Sequence, residues 1–459
     1  MNTMMIALAF TSVMLLLGML LRANVPLFRK MLVPTSVLAG IVGFILLNLN
    51  LKIFDGLSSA TFTTIVNELF TLSFISIGLT SVAKKSEKKA KTAKEIAKGS
   101  LGMGTIWCIL YALQPLLGAL VIVLIGSFFG MNPIYGLLIP FGFAQGPGQA
   151  ATFGGLFEEY GFENAAMVGL SFAVIGFLMA FFVGVILVKL AMKRGIIKSQ
   201  KSDVTVERGY YKEPNENEVI GYETTHSGNI ETLAFHFAIM GLCYLIAIGI
   251  SKLFSYLPNF LGSSMSGMMF MNGMLAAYLV KAVMKKLKLD GMIENTLQSK
   301  ITGFLTDFVV ACSFMAVRVG VIGSVIVPIL VVSAVGTVAT VAICLYFGSR
   351  IGGKNDFERT LGLYGTSTGT VPSGIALVRM VNPKLTGTTA IELGMMNITM
   401  MLSAPVYLLI LACASKTVSF SLTLVGLFVL TIVYIVCMKL FRCWGKPTYH
   451  WFDRKKEVE

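Results

Sequence analysis

The chain contains long apolar runs separated by short segments that are rich in lysine and arginine. A run of about 20 apolar residues is long enough for a helix to cross a bilayer. Of the 459 residues, 55% are hydrophobic and 13% are charged, whereas soluble domains carry about 25% charge. This composition predicts an all-α polytopic membrane protein. Eleven runs qualify as spans: 4–22, 31–50, 62–83, 101–129, 163–191, 232–254, 262–283, 302–319, 321–348, 385–412 and 418–440.

The positive charges follow every second predicted span. Basic clusters come after the first, third, fifth, seventh, ninth and eleventh spans. Short loops rich in lysine and arginine remain in the cytoplasm. The net charge of +14 is therefore explained by membrane topology, without nucleic-acid binding. The pattern predicts an external N-terminus and a cytoplasmic C-terminus.

Two further stretches, 134–158 and 361–383, are apolar but interrupted. The second contains four glycines, five serine or threonine residues, two prolines and Arg379. Such a backbone is tolerated at membrane depth only where it is buried in protein or lines a cavity. We predict that both stretches are re-entrant hairpins that line a binding site.

The charge pattern makes the two hairpins enter from opposite faces, because their flanking spans meet on opposite sides of the membrane. An internal repeat supports this inversion, since residues 143–157 match 364–378 in size and polarity. Two oppositely inserted halves of five spans each are typical of secondary transporters. The predicted domains are a first repeat (1–192), a cytoplasmic linker (193–230), a second repeat (231–412), and an additional helix with a tail (413–459).

The hairpin tips contain Gln145-Gly-Pro-Gly-Gln149 and Gly365-Thr-Ser-Thr-Gly-Thr370, whose glycines let two backbones approach closely. Freed carbonyls and hydroxyls suit a desolvated Na⁺, while N–H groups at helix starts suit a carboxylate. The alternative is that the small residues only permit tight helix packing. Substrate candidates are Thr366, Ser367, Thr368, Thr370, Ser373, Gly146, Gly148, Gln149 and Thr152, and sodium candidates are Gln145, Gly365 and Gly369.

Polar residues outside the tips supply further candidates. Arg379 has the chemistry to hold a substrate carboxylate through two parallel hydrogen bonds, or it lies at the cytoplasmic mouth of the hairpin. Asp307 is an intramembrane carboxylate suited to Na⁺ coordination or to a proton relay. Glu392 and Asn397 are further sodium candidates, and Asn272 is a further substrate candidate. For each of them, hydrogen-bonded packing is the alternative.

The chain resembles the glutamate:sodium symporters, bacterial transporters that are distantly akin to the 2-hydroxycarboxylate symporters. The resemblance covers most of residues 1–412 and rests on three features. They are the run Leu21-Arg-Ala-Asn-Val-Pro-Leu-Phe-Arg-Lys-Met-Leu-Val-Pro-Thr-Ser-Val-Leu-Ala-Gly40, the first hairpin followed by Phe157-Glu-Glu-Tyr-Gly-Phe162, and the five-plus-five layout. The resemblance implies a homodimer in the bacterial cytoplasmic membrane, Na⁺-coupled uptake of an acidic amino acid, hairpins that meet near the substrate, and an elevator-like movement.

The chain departs from this family at both tips. The family's first hairpin usually carries Gly-Gly-His-Gly, where this chain has Gln145-Gly-Pro-Gly148. The second usually carries a Gly-Pro-Thr-Pro-Thr-Ala-like run, where this chain has Gly365-Thr-Ser-Thr-Gly-Thr-Val-Pro372. The eleventh span also exceeds the usual ten.

The predicted function is Na⁺-coupled symport of glutamate or a similar small carboxylate by alternating access. The alternatives are a Na⁺-coupled di- or tricarboxylate symporter and a cation/proton exchanger that uses Asp307. An ion channel would need a ring of short filters from several subunits. The seven cysteines and three histidines form no CxxC or HExxH motif, so no enzyme and no cofactor is predicted. Na⁺ enters only as the coupling ion.

Overall fold

All regular structure in the described residues is helical. The computed structural model describes residues 3–49, 51–54, 56–80, 90–197, 219–257, 259–382, 385 and 387–451. Within them, nine helical segments are long and apolar enough to cross a membrane, which confirms the prediction of an all-α polytopic protein. The α-helices are α1 (Thr3–Asn24), α2 (Pro26–Lys30), α3 (Thr35–Asn48), α4 (Ser59–Leu79), α5 (Ala90–Ile125), α6 (Ile139–Phe143), α7 (Pro147–Glu159), α8 (Ala165–Lys193), α9 (Thr232–Phe254), α10 (Asn259–Gly267), α11 (Met269–Lys286), α12 (Asn295–Ala316), α13 (Val319–Ile322), α14 (Ile326–Gly348), α15 (Asp356–Ser367), α16 (Val371–Val381), α17 (Thr389–Met400), α18 (Ala404–Ala414) and α19 (Phe420–Leu440).

Two of the eleven predicted spans are not continuous membrane-length helices. The run 31–50 forms only the 14-residue helix α3, which begins directly after Pro34. The run 262–283 is broken at Met268, between α10 and α11. The break follows Gly262-Ser-Ser-Met-Ser-Gly267, whose glycines and serines are weak helix formers. The predicted lengths were wrong because local backbone chemistry interrupts both apolar runs.

The helices pack into two bundles, which we name the first and the second bundle. In the first bundle, α12 packs along α3 and α4, and α11 packs along α4 and α9. In the second bundle, α5 packs against α14, α17 and α19, while α8 packs against α6 and α7. The first bundle therefore combines the first three predicted spans of each half, and the second bundle contains the remaining spans and both interrupted stretches.

Apolar and small side chains dominate the contacts between the bundles. The ring centroids of Phe177 on α8 and Phe314 on α12 are 6.2 Å apart. On α7, Gly148 packs directly against the ring of Phe70 from α4. A polar contact also joins these two helices, because Thr152 Oγ1 donates to Asn67 Oδ1 at 3.1 Å. The first bundle thus forms a wall beside the interrupted stretch 134–158.

The tail after α19 folds back onto the second bundle. Its Thr448 Oγ1 donates to Asp356 Oδ2 at 2.8 Å, and Gly445 N donates to Arg350 O at 2.8 Å. Cys443 Sγ contacts Lys98 O at 3.7 Å. Basic segments that the charge pattern assigned to one side therefore lie at one end of the protein. Which side of the membrane this end occupies remains a prediction, and residues 198–218 of the predicted linker 193–230 lie outside the described residues.

Candidate functional site

Each interrupted stretch forms two helices joined by a three-residue break. The break between α6 and α7 is Ala144–Gly146, named tip 1, and the break between α15 and α16 is Thr368–Thr370, named tip 2. Gly146 has φ 88° and ψ −176°, a conformation that essentially only glycine adopts. Proline lies in the first turn of both following helices, where its missing N–H costs nothing. The second helix pair begins at Asp356, five residues earlier than the predicted start at 361.

The two tips contact each other. A methyl group added to Gly146 would lie 2.7 Å from Thr370 Cγ2 and 3.3 Å from Gly369 O. Only the absence of a side chain at Gly146 therefore permits this approach. The two stretches, more than 200 residues apart in sequence, meet at their glycine-containing breaks.

Helix α5 holds both tips from one side. Trp107 Nε1 donates to Ala144 O of tip 1 at 3.0 Å. Two turns later, Gln114 Nε2 donates to Ser367 O, beside tip 2, at 3.1 Å. These contacts lie about 10 Å apart along the helix axis. Both lie near the centre of the apolar part of α5, at the depth where the two tips meet.

Four helix ends converge at the tips, and they offer two kinds of chemistry. Helices α6 and α15 end there and direct carbonyl groups towards the tips, while α7 and α16 begin there. Neither helix start has a side-chain cap. The N-terminal end of a helix attracts anions, whereas carbonyl ends and unwound carbonyls coordinate Na⁺. One junction therefore offers an anion site and a cation site side by side.

Most predicted site residues lie at or within one helical turn of the tips, but they do not all face outward. Thr366 and Thr368 use their hydroxyls within α15, donating to Gly362 O and Tyr364 O, both at 2.8 Å. By contrast, Ser367 Oγ is buried and has no hydrogen-bond partner among the residues that the structure describes. Near the tips are also the predicted residues Gly365, Gly369, Thr370, Ser373, Gln145, Gly146, Gly148, Gln149 and Thr152.

Glu392 lies well away from the tips. It contacts Gly99 on α5, and Gly99 is 15 residues before Gln114, which corresponds to about 22 Å along the helix. Its two carboxylate oxygens accept hydrogen bonds from Arg359 Nε and Nη2, both at 2.7 Å. Asp356 Oδ1 accepts from Arg359 Nη1 at 2.9 Å. In this conformation, Glu392 neutralises a buried arginine.

Four other predicted residues belong to neither tip segment. Arg379 is exposed in the last turn of α16, ten residues and about 15 Å beyond Gly369. Asn397 on α17 is exposed. Asp307 on α12 is hydrogen-bonded by the Ser36 side chain of α3, within the first bundle. Asn272 Nδ2 donates to Met265 O at 3.0 Å, which satisfies a carbonyl freed at the break after α10.

The far end of α7 is fixed by Glu158. Its carboxylate accepts a hydrogen bond from Ala166 N at 3.0 Å and thereby caps the start of α8. Burial raises the pKa of Glu158, while the hydrogen bond from Ala166 acts in the opposite direction. This contact ties the end of one interrupted stretch to the helix that packs on tip 2, since Gly176 of α8 lies directly against Thr368 O.

Sequence reasoning missed Trp107, Gln114 and Arg359. Gln114 carried a usable signal, because Gln114-Pro115 is a polar and helix-breaking pair inside the apolar run 101–129. Trp107 carried none, since a tryptophan in an apolar run is ordinary. Arg359 lies in a charged segment that follows a predicted span, and such segments are typical of solvated loops.

Broken helices whose ends converge within a bundle of membrane-length helices are typical of secondary transporters. The family model described as sodium/glutamate symporter matches residues 1–386 of the chain. The chain belongs to this family, so it is a Na⁺-coupled transporter and not an enzyme. No curated protein sequence matches the chain at a significant level.

Proposed function

We propose that the chain carries glutamate, or a similar small carboxylate, together with Na⁺, and that both bind where the two tips meet. The contact between Gly146 and Thr370 is the observation that carries this proposal. Because of it, the starts of α7 and α16 and the ends of α6 and α15 share one junction. A substrate anion and its coupling cation bound there would stabilise each other directly.

The two uncapped helix starts suit a substrate with two carboxylates. The first turn of α7 offers the N–H groups of Gly148 and Gln149, and the first turn of α16 offers that of Ser373. Thr370 and Ser373 add hydroxyl groups beside the second start; their oxygens are 3.5 Å apart. Glutamate, with one carboxylate at each end of a short chain, matches two separated anion sites.

Alternating access would follow from a movement of one bundle against the other. Both tips belong to the second bundle, so the bound substrate would move with that bundle while the first bundle stays fixed in the membrane. The mainly apolar contact between them, such as that of Phe177 with Phe314, has few directional bonds to break. This elevator-like scheme, the homodimer and the bacterial cytoplasmic membrane are expectations from family resemblance.

Uptake of radiolabelled glutamate into proteoliposomes tests the proposal. With a tenfold inward Na⁺ gradient, each coupled ion supplies about 1.4 kcal/mol, enough for about tenfold accumulation. Replacing external Na⁺ by K⁺ should abolish the accumulation. Competition with unlabelled aspartate, citrate and malate then defines the substrate class. Uptake of citrate or malate without glutamate would favour the di- or tricarboxylate alternative, and Na⁺ flux driven by a proton gradient in the absence of any carboxylate would favour the exchanger.

Arg379→Lys tests the role of the exposed arginine. We expect this variant to keep its KM for glutamate within about threefold, because Arg379 lies about 15 Å along α16 from Gly369. Initial uptake rates over a range of glutamate concentrations give KM. A KM at least tenfold higher would instead assign to Arg379 the two-pronged carboxylate contact predicted from the sequence, which lysine cannot reproduce.

A further inference from the structure

Gln114 presents a buried oxygen that no donor in the described part of the chain satisfies. The residue is 0% exposed, and its Nε2 donates to Ser367 O and to Thr340 Oγ1, both at 3.1 Å. Thr340 already donates its own hydrogen to Gly336 O, so its oxygen is free to accept. Because both neighbours are acceptors, the orientation of the amide is fixed. Its Oε1 is then left without a hydrogen-bond partner among the described residues.

Ser367 presents a second such oxygen. Its side chain is 0% exposed, and its Oγ also has no hydrogen-bond partner in the described part of the chain. The main-chain carbonyl of the same residue is the one that Gln114 binds. The two unsatisfied oxygens therefore belong to residues in direct contact. Leaving such groups buried and unpaired is unfavourable, so both oxygens call for a partner such as an ordered water or a cation.

Pro115 adds a third oxygen to this neighbourhood. It lies inside α5 and has no N–H group, so the carbonyl of Tyr111, four residues earlier, loses its helical partner. Tyr111 and Gln114 are three residues apart and share a face of α5. In addition, Ser367 is the last residue of α15, where the helix dipole is negative.

We propose that Gln114 Oε1, Ser367 Oγ and the carbonyl oxygen of Tyr111 bind Na⁺ between α5 and tip 2. Three neutral oxygens at a negative helix end attract a hard cation and repel an anion. A divalent ion is usually held by one or more carboxylates, and none of these three ligands carries a charge. Among the described residues, no group of three acidic, histidine or cysteine side chains is placed to hold a metal ion.

This site deepens the proposed function, on which it rests, by assigning the coupling ion to a defined position. The end of α15 would bind the cation, while the start of α16, beyond the three residues of tip 2, would face the substrate. A bound Na⁺ would draw tip 2 towards α5 and order the start of α16. Cation binding would therefore favour binding of the carboxylate, and carboxylate binding would favour the cation by the same factor.

Ser367→Ala tests the site with little risk to folding, because the hydroxyl it removes has no hydrogen-bond partner within the described ranges. Thermal unfolding of the purified full-length protein is followed in detergent, without substrate, in NaCl and KCl mixtures of constant ionic strength. Na⁺ should stabilise the wild type more than K⁺ does. In Ser367→Ala, the Na⁺ concentration that gives half of this stabilisation should rise about tenfold. This rise corresponds to a loss of about 1.4 kcal/mol in the free energy of Na⁺ binding.

Ser333→Ala is the matched control, since Ser333 is also 0% exposed but its hydroxyl is satisfied by Ile329 O at 2.7 Å. Its Na⁺ dependence should equal that of the wild type. Gln114→Met removes Oε1 at similar volume and should weaken Na⁺ binding at least as much as Ser367→Ala. The site is wrong if the wild type responds equally to Na⁺ and K⁺, or if both variants keep the wild-type Na⁺ dependence.

The proteoliposome assay separates this inference from the proposed function. If glutamate uptake fails but Ser367→Ala loses the Na⁺-specific stabilisation, the cation site stands and the substrate assignment falls. If uptake is Na⁺-dependent and its half-saturating Na⁺ concentration is the same in Ser367→Ala and the wild type, the transport function stands and this site falls.

Discussion

Replacing Arg359 by methionine should destabilise the protein by about 3–5 kcal/mol, because two carboxylates would remain buried without their cation. Arg359 is 1% exposed and binds Glu392 and Asp356, which are 0% and 1% exposed. Water therefore cannot replace the guanidinium. Thermal and denaturant unfolding of the purified protein in detergent, followed by tryptophan fluorescence, measures the loss.

Two variants serve as comparisons for Arg359→Met. Glu392→Gln removes one negative charge but leaves the contact between Arg359 and Asp356. Its loss of unfolding free energy should therefore be smaller, about 1–3 kcal/mol. Arg194→Met removes an exposed arginine that stacks on Trp451 at 5.0 Å, and it should lose no more than about 1 kcal/mol. Equal losses for Arg359→Met and Arg194→Met would show that the buried cluster makes no net contribution.

This cluster also shows what the sequence could not predict. An intramembrane glutamate is a reasonable ion ligand, and the sequence therefore predicts Glu392 as one. Its partner Arg359 is 33 residues away, in the first turn of α15. The stretch predicted from the sequence starts only at residue 361 and therefore leaves Arg359 out. Pairing of charges across helices depends on how the helices pack, so local sequence periodicity cannot predict it.

The apolar runs, by contrast, were sufficient to predict the helical membrane fold. The positions of the two breaks were also predictable, because glycine and proline clusters such as Gln145-Gly-Pro-Gly148 act through local backbone geometry. The side chains that hold the two breaks in place were not predictable from the sequence. Trp107 and Gln114 differ little from their apolar neighbours in sequence, and only the fold brings them to Ala144 and Ser367.

Gly146→Ala should lower Na⁺-driven glutamate uptake at least tenfold, because the tips could no longer meet as they do. The φ of 88° and ψ of −176° at this position disfavour any side chain by about 1–3 kcal/mol. The added methyl group would also lie 2.7 Å from Thr370 Cγ2. Gly155→Ala, in the same helix pair, is the control, since a methyl group there meets no atom within 4 Å. Its uptake should match that of the wild type.

The double variant Gly146→Ala/Thr370→Ser isolates the contact between the tips. Serine keeps the hydroxyl of Thr370 but removes Cγ2, the atom nearest to the added methyl group. Uptake should therefore recover in part, because the steric conflict is relieved while the unfavourable φ remains. Initial rates in proteoliposomes, normalised to folded protein, give the comparison with both single variants. If Thr370→Ser alone transports normally and the double variant is no better than Gly146→Ala, the approach of the two tips does not limit transport.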